Sequence, residues 1–299
     1  MSMQHSVPAP ERVLQRLDWQ VIRRLDGLLQ GDYRSLFYGH ALDFADLREY
    51  QAEDDIRHID WNVTARMDTP YVRQYVEDRE ITAWFLLDLS PSMDFGAVDN
   101  QKRTVLIDFV ATLARLLTRH GNRVGMISYG GSVAGTIPPR GGRMQVLRLL
   151  NDLLKQPQLA RPPFTDLTPL LDAGLRQIKR RGLIFIVSDF ISAPGWEKSL
   201  RLLNQRHEVL AIRLWDPREV ELPDIGPIIM EDAETGEQLY VDTRDRKFRQ
   251  RFKEAAQRRK ATLHDAFRRS GVDALPLSTE EDLVRAIARF ATRRRRRKR

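Results

Sequence analysis

A carboxylate and two hydroxyls stand close together in the stretch Trp84-Phe85-Leu86-Leu87-Asp88-Leu89-Ser90-Pro91-Ser92-Met93. Asp88, Ser90 and Ser92 are small oxygen donors at the spacing a hard divalent cation uses. Mg2+ in particular keeps several waters and takes few protein oxygens. The apolar run ahead of them reads as a buried strand over 81–88. It breaks into turn-formers up to Gly96, and a strongly periodic helix follows. In open α/β sheets, ligands bind beyond the carboxyl ends of the strands. The three donors therefore arrive where such a fold binds things, provided the rest of the chain builds the sheet.

The chain is long enough for that. Its 299 residues, 42% of them hydrophobic, can hold one large α/β domain with additions or two smaller domains. It has no cysteine, which excludes a disulfide framework, a thiolate metal site and a cysteine nucleophile, and is compatible with a reducing cytoplasm. Met1 to Arg12 has no apolar core and carries Pro8 and Pro10, so it does not read as a secretory signal. No apolar run approaches the roughly 18 residues of a membrane span. The expectation is a soluble, cytoplasmic protein without a membrane span. Of the net charge of +8, the last seven residues supply +7, which leaves about +1 for the body. The basic character belongs to the tail and is weak evidence for nucleic-acid binding by the folded part.

Periodicity places the elements. Trp19, Ile22, Leu25, Leu28 and Leu29 predict a helix over 18–30 opened by Asp18. A loop with Tyr33, Phe37 and Tyr38 follows, then a charged, aromatic stretch over 42–80 expected to hold ion pairs under rings such as Trp61 and to brace the sheet edge, or else to form a binding surface near the metal site. His40, His58 and Asp60 match no standard ligand spacing, and a structural role is expected for them. Helices are predicted over 101–119, 143–155, 168–180, 196–206, 244–270 and 279–291. Strands are predicted over 123–129, 132–137, 183–187, 208–214 and 272–276, and a hairpin pairs 227–231 with 238–242. Strands alternating with helices imply a doubly wound, mainly parallel sheet covered on both faces.

A metal site needs more than one loop. Strands 84–87 and 183–187 are the most apolar, and both run into an aspartate, Asp88 and Asp189. Between them Thr165 stands in the proline-stiffened loop Arg161-Pro162-Pro163-Phe164, just ahead of a helix. This set resembles the von Willebrand factor A fold, whose metal-ion-dependent adhesion site takes Asp-x-Ser-x-Ser from one loop, a threonine from a second and an aspartate from a third. The resemblance implies Asp88, Ser90, Ser92, Thr165 and Asp189 as the metal residues, with Thr168 the second choice to Thr165. The implied ion is Mg2+, or Mn2+ or Ca2+, with an open position for an Asp or Glu carboxylate from a protein partner.

The stretches Phe44 to Tyr50, Asp54-Asp55-Ile56-Arg57, Ile59-Asp60-Trp61, Thr64-Ala65-Arg66, Arg79-Glu80 and Leu87 to Ser90 extend the likeness to the bacterial DUF58 family. Members carry a von Willebrand A-like domain and are associated with MoxR-type AAA+ ATPases in chaperone-like maturation or assembly. That family's second loop is usually glycine-rich, unlike the Arg-Pro-Pro-Phe found here. The resemblance implies residues 1–80 as an N-terminal brace and 81–292 as the von Willebrand A-like domain, while the all-basic run 293–299 reads by composition as a disordered, solvated tail, or else as a docking tag for an acidic partner, RNA or an anionic membrane surface. The implied function is a metal-dependent protein-binding adaptor.

Two other classes compete. A Mg-dependent phosphoryl hydrolase would use Asp88 as nucleophile, but a dehalogenase-like phosphatase wants a second carboxylate where Ser90 stands. No Gly-x-Ser-x-Gly or Walker-type loop is present, and the reading is of a binding protein and not an enzyme. Nucleic acid could meet the 244–269 helix and the Arg293–Arg299 tail, but Phe248, Phe252 and Phe267 are spaced to face a core, which argues for a solvated basic face.

Overall fold

The structure is a computed structural model that describes residues 9–25, 46–51, 54, 56, 59–67, 69–74, 81–97, 100–130, 132–156, 165–231 and 236–298. The loop around Tyr33, Phe37 and Tyr38, both His40 and His58, and Arg161 to Phe164 lie outside the described residues.

Helix α1 (Pro10–Leu17) opens on a proline, whose missing N–H has no intrahelical acceptor at that position anyway. It runs on through a π-type turn at Asp18–Ile22. The helix expected to start at Asp18 therefore starts at Pro10. Val13, Leu14, Leu17, Ile22 and Leu25 are buried in the same core as the central strands. An apolar stripe of this width is stable only against a sheet or another helix, and the central sheet supplies that surface.

Strand β1 (Asp46–Glu49), helix α2 (Trp61–Met67) and strand β2 (Tyr71–Gln74) follow, with β1 and β2 antiparallel. Arg48 grips Asp54 through two hydrogen bonds of 2.8 and 2.5 Å. Asp60 accepts from the backbone of Asn62 and Val63 and so caps α2. Trp61 is 69% exposed and does not roof the ion pairs as expected.

The main body begins with β3 (Thr82–Asp88) and a short pair, β4 (Gly96–Ala97) and β5 (Asn100–Gln101). Then come α3 (Lys102–Arg119), β6 (Arg123–Tyr129), β7 (Val133–Arg140), α4 (Arg143–Lys155) and α5 (Thr168–Gln177). Next are β8 (Leu183–Ser188), α6 (Trp196–Arg206) and β9 (Glu208–Trp215). The chain finishes with the hairpin β10 (Pro227–Glu231) and β11 (Gln238–Asp242), then α7 (Arg246–Ser270), β12 (Asp273–Ser278) and α8 (Leu283–Lys298). The hairpin has the expected register, Pro227 opposite Asp242 and Glu231 opposite Gln238. Helix α7 stops at Gly271, which takes a left-handed φ of 68° and donates to the carbonyls of Arg268 and Phe267.

Six strands form one sheet in the order β12-β9-β8-β3-β6-β7, parallel except for β7. Side chains alternate along each strand, so both faces must be covered. Ala83, Phe85 and Leu87 meet α1, α3 and α4 on one face, while Trp84 and Leu86 meet α5, α6 and α7 on the other. From β3 the chain builds outward to β6, then returns to place β8 on the other side of β3. The order reverses between β3 and β8, which is where such sheets open a crevice at their carboxyl ends. Gly182 leads into β8, and a Cβ there would lie 2.6 Å from the Thr82 carbonyl oxygen. Gly182→Ala is expected to lower unfolding stability by roughly 1–3 kcal/mol through that backbone clash. A urea midpoint unchanged from wild type would refute it.

Helix α8 runs into the basic stretch as far as Lys298. Arg294 is 5% exposed, donates to Asp273 at 3.0 Å, and also pairs with Glu208. These carboxylates open β12 and β9, so one guanidinium ties the start of both strands to α8. Arginine is a good helix former, which lets the run prolong the helix. Among the described residues, no helix is long and apolar enough to cross a membrane.

Candidate functional site

The carboxyl end of β3 delivers Asp88 with no exposed surface. One oxygen, Oδ1, accepts from the Ser90 backbone N–H at 3.0 Å, which folds the chain into an Asx turn. Pro91 then starts a short 3-10 turn over Pro91–Asp94, and this brings the Ser90 and Ser92 hydroxyls within 3.1 Å of each other. Both serines are buried. The Leu89 N–H donates to the Tyr129 carbonyl at 2.7 Å, so the turn hangs from the β3–β6 ladder and not from solvent.

The register of β3 and β8, Phe85 opposite Phe185 and Leu87 opposite Val187, sets Asp88 level with Ser188. The Ser188 hydroxyl donates to Asp88 Oδ2 at 2.6 Å and accepts from the Phe190 N–H at 2.8 Å. Asp189 is 2% exposed, and its Oδ1 accepts from the Ile191 N–H at 2.9 Å. Phe190 turns the chain with a left-handed φ of 59°, unusual for an aromatic residue. Its buried ring packs against Trp196 at 5.5 Å and edge-on against Phe267 at 4.9 Å. Packing from two helices holds a backbone conformation that the residue alone disfavours, as is common at functional sites.

Thr165 is 3% exposed on the loop before α5. Its carbonyl accepts from the Ala193 N–H at 2.9 Å, and the Leu167 N–H donates to the Ser192 hydroxyl at 3.0 Å. The loop carrying Thr165 is therefore stitched to the loop carrying Asp189. Thr168 is half-buried and begins α5, its N–H donating to Asp166 at 2.8 Å. All five expected site residues are buried, Asp88 as the last residue of β3 and the others on the turns and loops that follow β3 and β8 or precede α5. Asp88, Ser90 and Ser92 share one turn, and Asp189 stands beside Asp88.

The electrostatics are strained. Burial, and then the charge of Asp189, push the Asp88 carboxyl up to about 6 despite hydrogen bonds from Ser188 and Ser90. Among the described residues no cation pairs with Asp88. Asp189 has one: Lys102 Nζ donates to its Oδ2 at 2.7 Å and to Glu219 Oε1 at 2.6 Å. Burial alone would push Lys102 down, but Asp189 and Glu219 override it and hold it above the ordinary lysine value. Two buried carboxylates with adjacent hydroxyls form a donor set of hard oxygens, which fits a small divalent cation. Among the described residues no three His, Asp or Glu side chains converge as a ligand group.

The sequence reading missed Lys102, Ser188, Phe190 and Glu219. A signal for Lys102 existed. Cations are unfavourable in the first turn of a helix, yet α3 opens with Lys102 and Arg103, both buried. Each has a carboxylate waiting: Arg103 meets Asp94 at 3.2 Å. Glu219 closes a capping box with Asp216 in Asp216-Pro217-Arg218-Glu219, a spacing visible in the sequence.

Residues 46–262 match the family described as "Protein of unknown function DUF58". An uncharacterized protein of Mycobacterium tuberculosis is 37% identical over 291 residues, covering 97% of this chain and 91% of the relative. One of Mycobacterium avium is 39% identical over 160 residues, 54% of this chain and 94% of that one. Among solved structures, BatB from Bacteroides thetaiotaomicron is similar with a TM-score of 0.43 and 12% identity, over 72% of this chain and 99% of that chain. An aerotolerance-related membrane protein from Bacteroides fragilis is similar with a TM-score of 0.44 and 13% identity, with the same coverage. By the extent of the family match and the mycobacterial identity, the chain belongs to the DUF58 family.

Proposed function

We propose that this protein is a metal-dependent protein-binding adaptor on a von Willebrand factor A-like fold, working in the cytoplasm with a MoxR-type AAA+ ATPase. The observation that carries the reading is the buried Asp88 carboxylate, without a cation among the described residues and facing Asp189, beside the paired Ser90 and Ser92 hydroxyls. Asp88, Ser90, Ser92, Thr165 and Asp189 would hold the ion. Mg2+, Mn2+ or Ca2+ bound there supplies an electrophilic position that a partner's Asp or Glu completes. Asp88 and Asp189 supply charge, the hydroxyls supply neutral oxygens, and the Ser188 and Ile191 hydrogen bonds orient the two carboxylates. Membership of DUF58, together with that family's association with AAA+ ATPases, supports the choice of partner.

Calorimetric titration with Mg2+ and Mn2+ tests the site. Saturable binding is expected for wild type, weakened at least about tenfold in Ser90→Ala and Asp189→Ala, since even outer-shell changes cost 10–100-fold. Co-purification with a co-expressed MoxR-type ATPase is expected to be lost on chelation. Absence of metal binding by the wild type, with capture indifferent to chelator, would overturn the proposal.

A further inference from the structure

Lys102 is fully buried at the first position of α3, where both the helix dipole and desolvation oppose a cation. It is nonetheless seated firmly. Its Nζ bonds to Asp189 and Glu219 and lies 5.7 Å from the centre of the Phe95 ring, just past the Asp88 turn. Glu219 cannot drift with it, because its other oxygen accepts from the Asp216 N–H at 3.0 Å. Asp216, also buried, is held in turn by Arg218 at 2.8 Å and Thr279 at 2.8 Å. The ammonium therefore joins the end of β8 to the turn after β9 from a fixed position. It leaves the two site carboxylates unequal, since Asp189 has a resident cation and Asp88 has none among the described residues.

We propose that Lys102 is a built-in counter-cation that competes with a divalent ion for Asp189 and holds the affinity of the site down until an acidic partner group arrives with the ion. This rests on reading the loop cluster as a cation site. An ion held by Asp88 and Asp189 sits within a few ångströms of a positive charge that solvent cannot screen. A partner carboxylate adds the negative charge that offsets Lys102, so ion and partner bind better together than apart. With Lys102 removed, the ion no longer needs that help.

The test compares Mg2+ dissociation constants, by calorimetry, for wild type, Lys102→Met/Glu219→Gln and Glu219→Gln, with metal-free melting temperatures as the fold control. The double variant removes the ammonium and the Glu219 charge together, which leaves Asp189 as the one carboxylate of the trio without its cation until a divalent ion binds. Glu219→Gln alone leaves the ammonium wholly on Asp189. The double variant is expected to bind at least about tenfold tighter, the scale of one nearby buried charge, and Glu219→Gln to bind more weakly than wild type. A role confined to holding the fold would weaken binding in both. Equal or weaker binding by a folded double variant overturns the competition while leaving the metal reading intact. If the double variant does not fold, Glu219→Gln decides through its metal-free melting temperature: weaker binding at an unchanged melting temperature supports the competition, and weaker binding with a lowered one, or tighter or unchanged binding, overturns it. Binding by the double variant alone supports the competition and places wild-type binding in the ion-plus-partner complex. No binding by any variant overturns both.

Discussion

Asp88→Asn is expected to abolish divalent-ion binding and yet raise the melting temperature of the metal-free protein at pH 7. The Asp88 carboxyl is pushed from 3.8 to about 6 by burial and by Asp189, so the folded state holds its proton more tightly than the unfolded chain does. A group shifted upward in this way contributes stability while protonated and loses it as pH rises through the folded value. The loss runs from about pH 4 to about pH 6 and amounts to something on the order of 3 kcal/mol above that range. An asparagine keeps the shape and carries no charge. Its carbonyl can accept from the Ser90 N–H and its amide can donate to the Ser188 hydroxyl, the two groups that hold Asp88 now. The variant should therefore melt roughly 5–10 °C higher than the metal-free wild type at pH 7, and equal to it near pH 4. Excess Mg2+ should raise the wild-type melting temperature above pH 6 and leave the variant unmoved. Melting curves from pH 4 to pH 8, with and without Mg2+, check both halves. A variant less stable than wild type at pH 7 sinks the electrostatic account of the site.

The second large effect lies in the sheet beneath. Phe185→Ala should cost about 3–5 kcal/mol of unfolding stability, the usual range for an aromatic removed from a core. Phe185 is fully buried, stacks on Phe85 at 5.2 Å and 17°, and meets the Phe109 ring edge-on at 6.0 Å. Phe85 and Phe185 are also register partners between β3 and β8, the strands whose ends carry Asp88 and Ser188. Phe185→Leu, which keeps much of the volume, should cost under about 1.5 kcal/mol. Urea unfolding of the two variants separates cavity from chemistry. Similar losses for both would mean that the ring stack, not the filled volume, is what the core needs.

What was legible in the sequence is what acts over one turn or one strand. The apolar runs ending at Asp88 and before Asp189 marked β3 and β8, because a strand buried on both faces leaves no room for polar alternation. The leucine spacing over 143–155 gave α4 its observed bounds, and the turn-forming residue types at Glu234-Thr235-Gly236 marked the hairpin in the sequence. The five candidate site residues came from the resemblance to the von Willebrand factor A pattern, together with the rule that ligands collect at the carboxyl edge. The N-terminal helix was misplaced because a Pro at the first turn reads as a breaker unless it is recognised as a start. The burial of Arg294 was not legible in the basic run, because its partners Asp273 and Glu208 lie on other elements.

Only the tertiary structure decided how the site is charged. Lys102 stands 87 residues from Asp189 and 117 from Glu219, so no local pattern couples them. Phe190 accepts a left-handed backbone because Trp196 and Phe267, on two different helices, close over its ring. Propensity and periodicity are properties of neighbours along the chain, and they place the donors. Desolvation is a property of the folded interior, and it selects which distant charge each buried group must find.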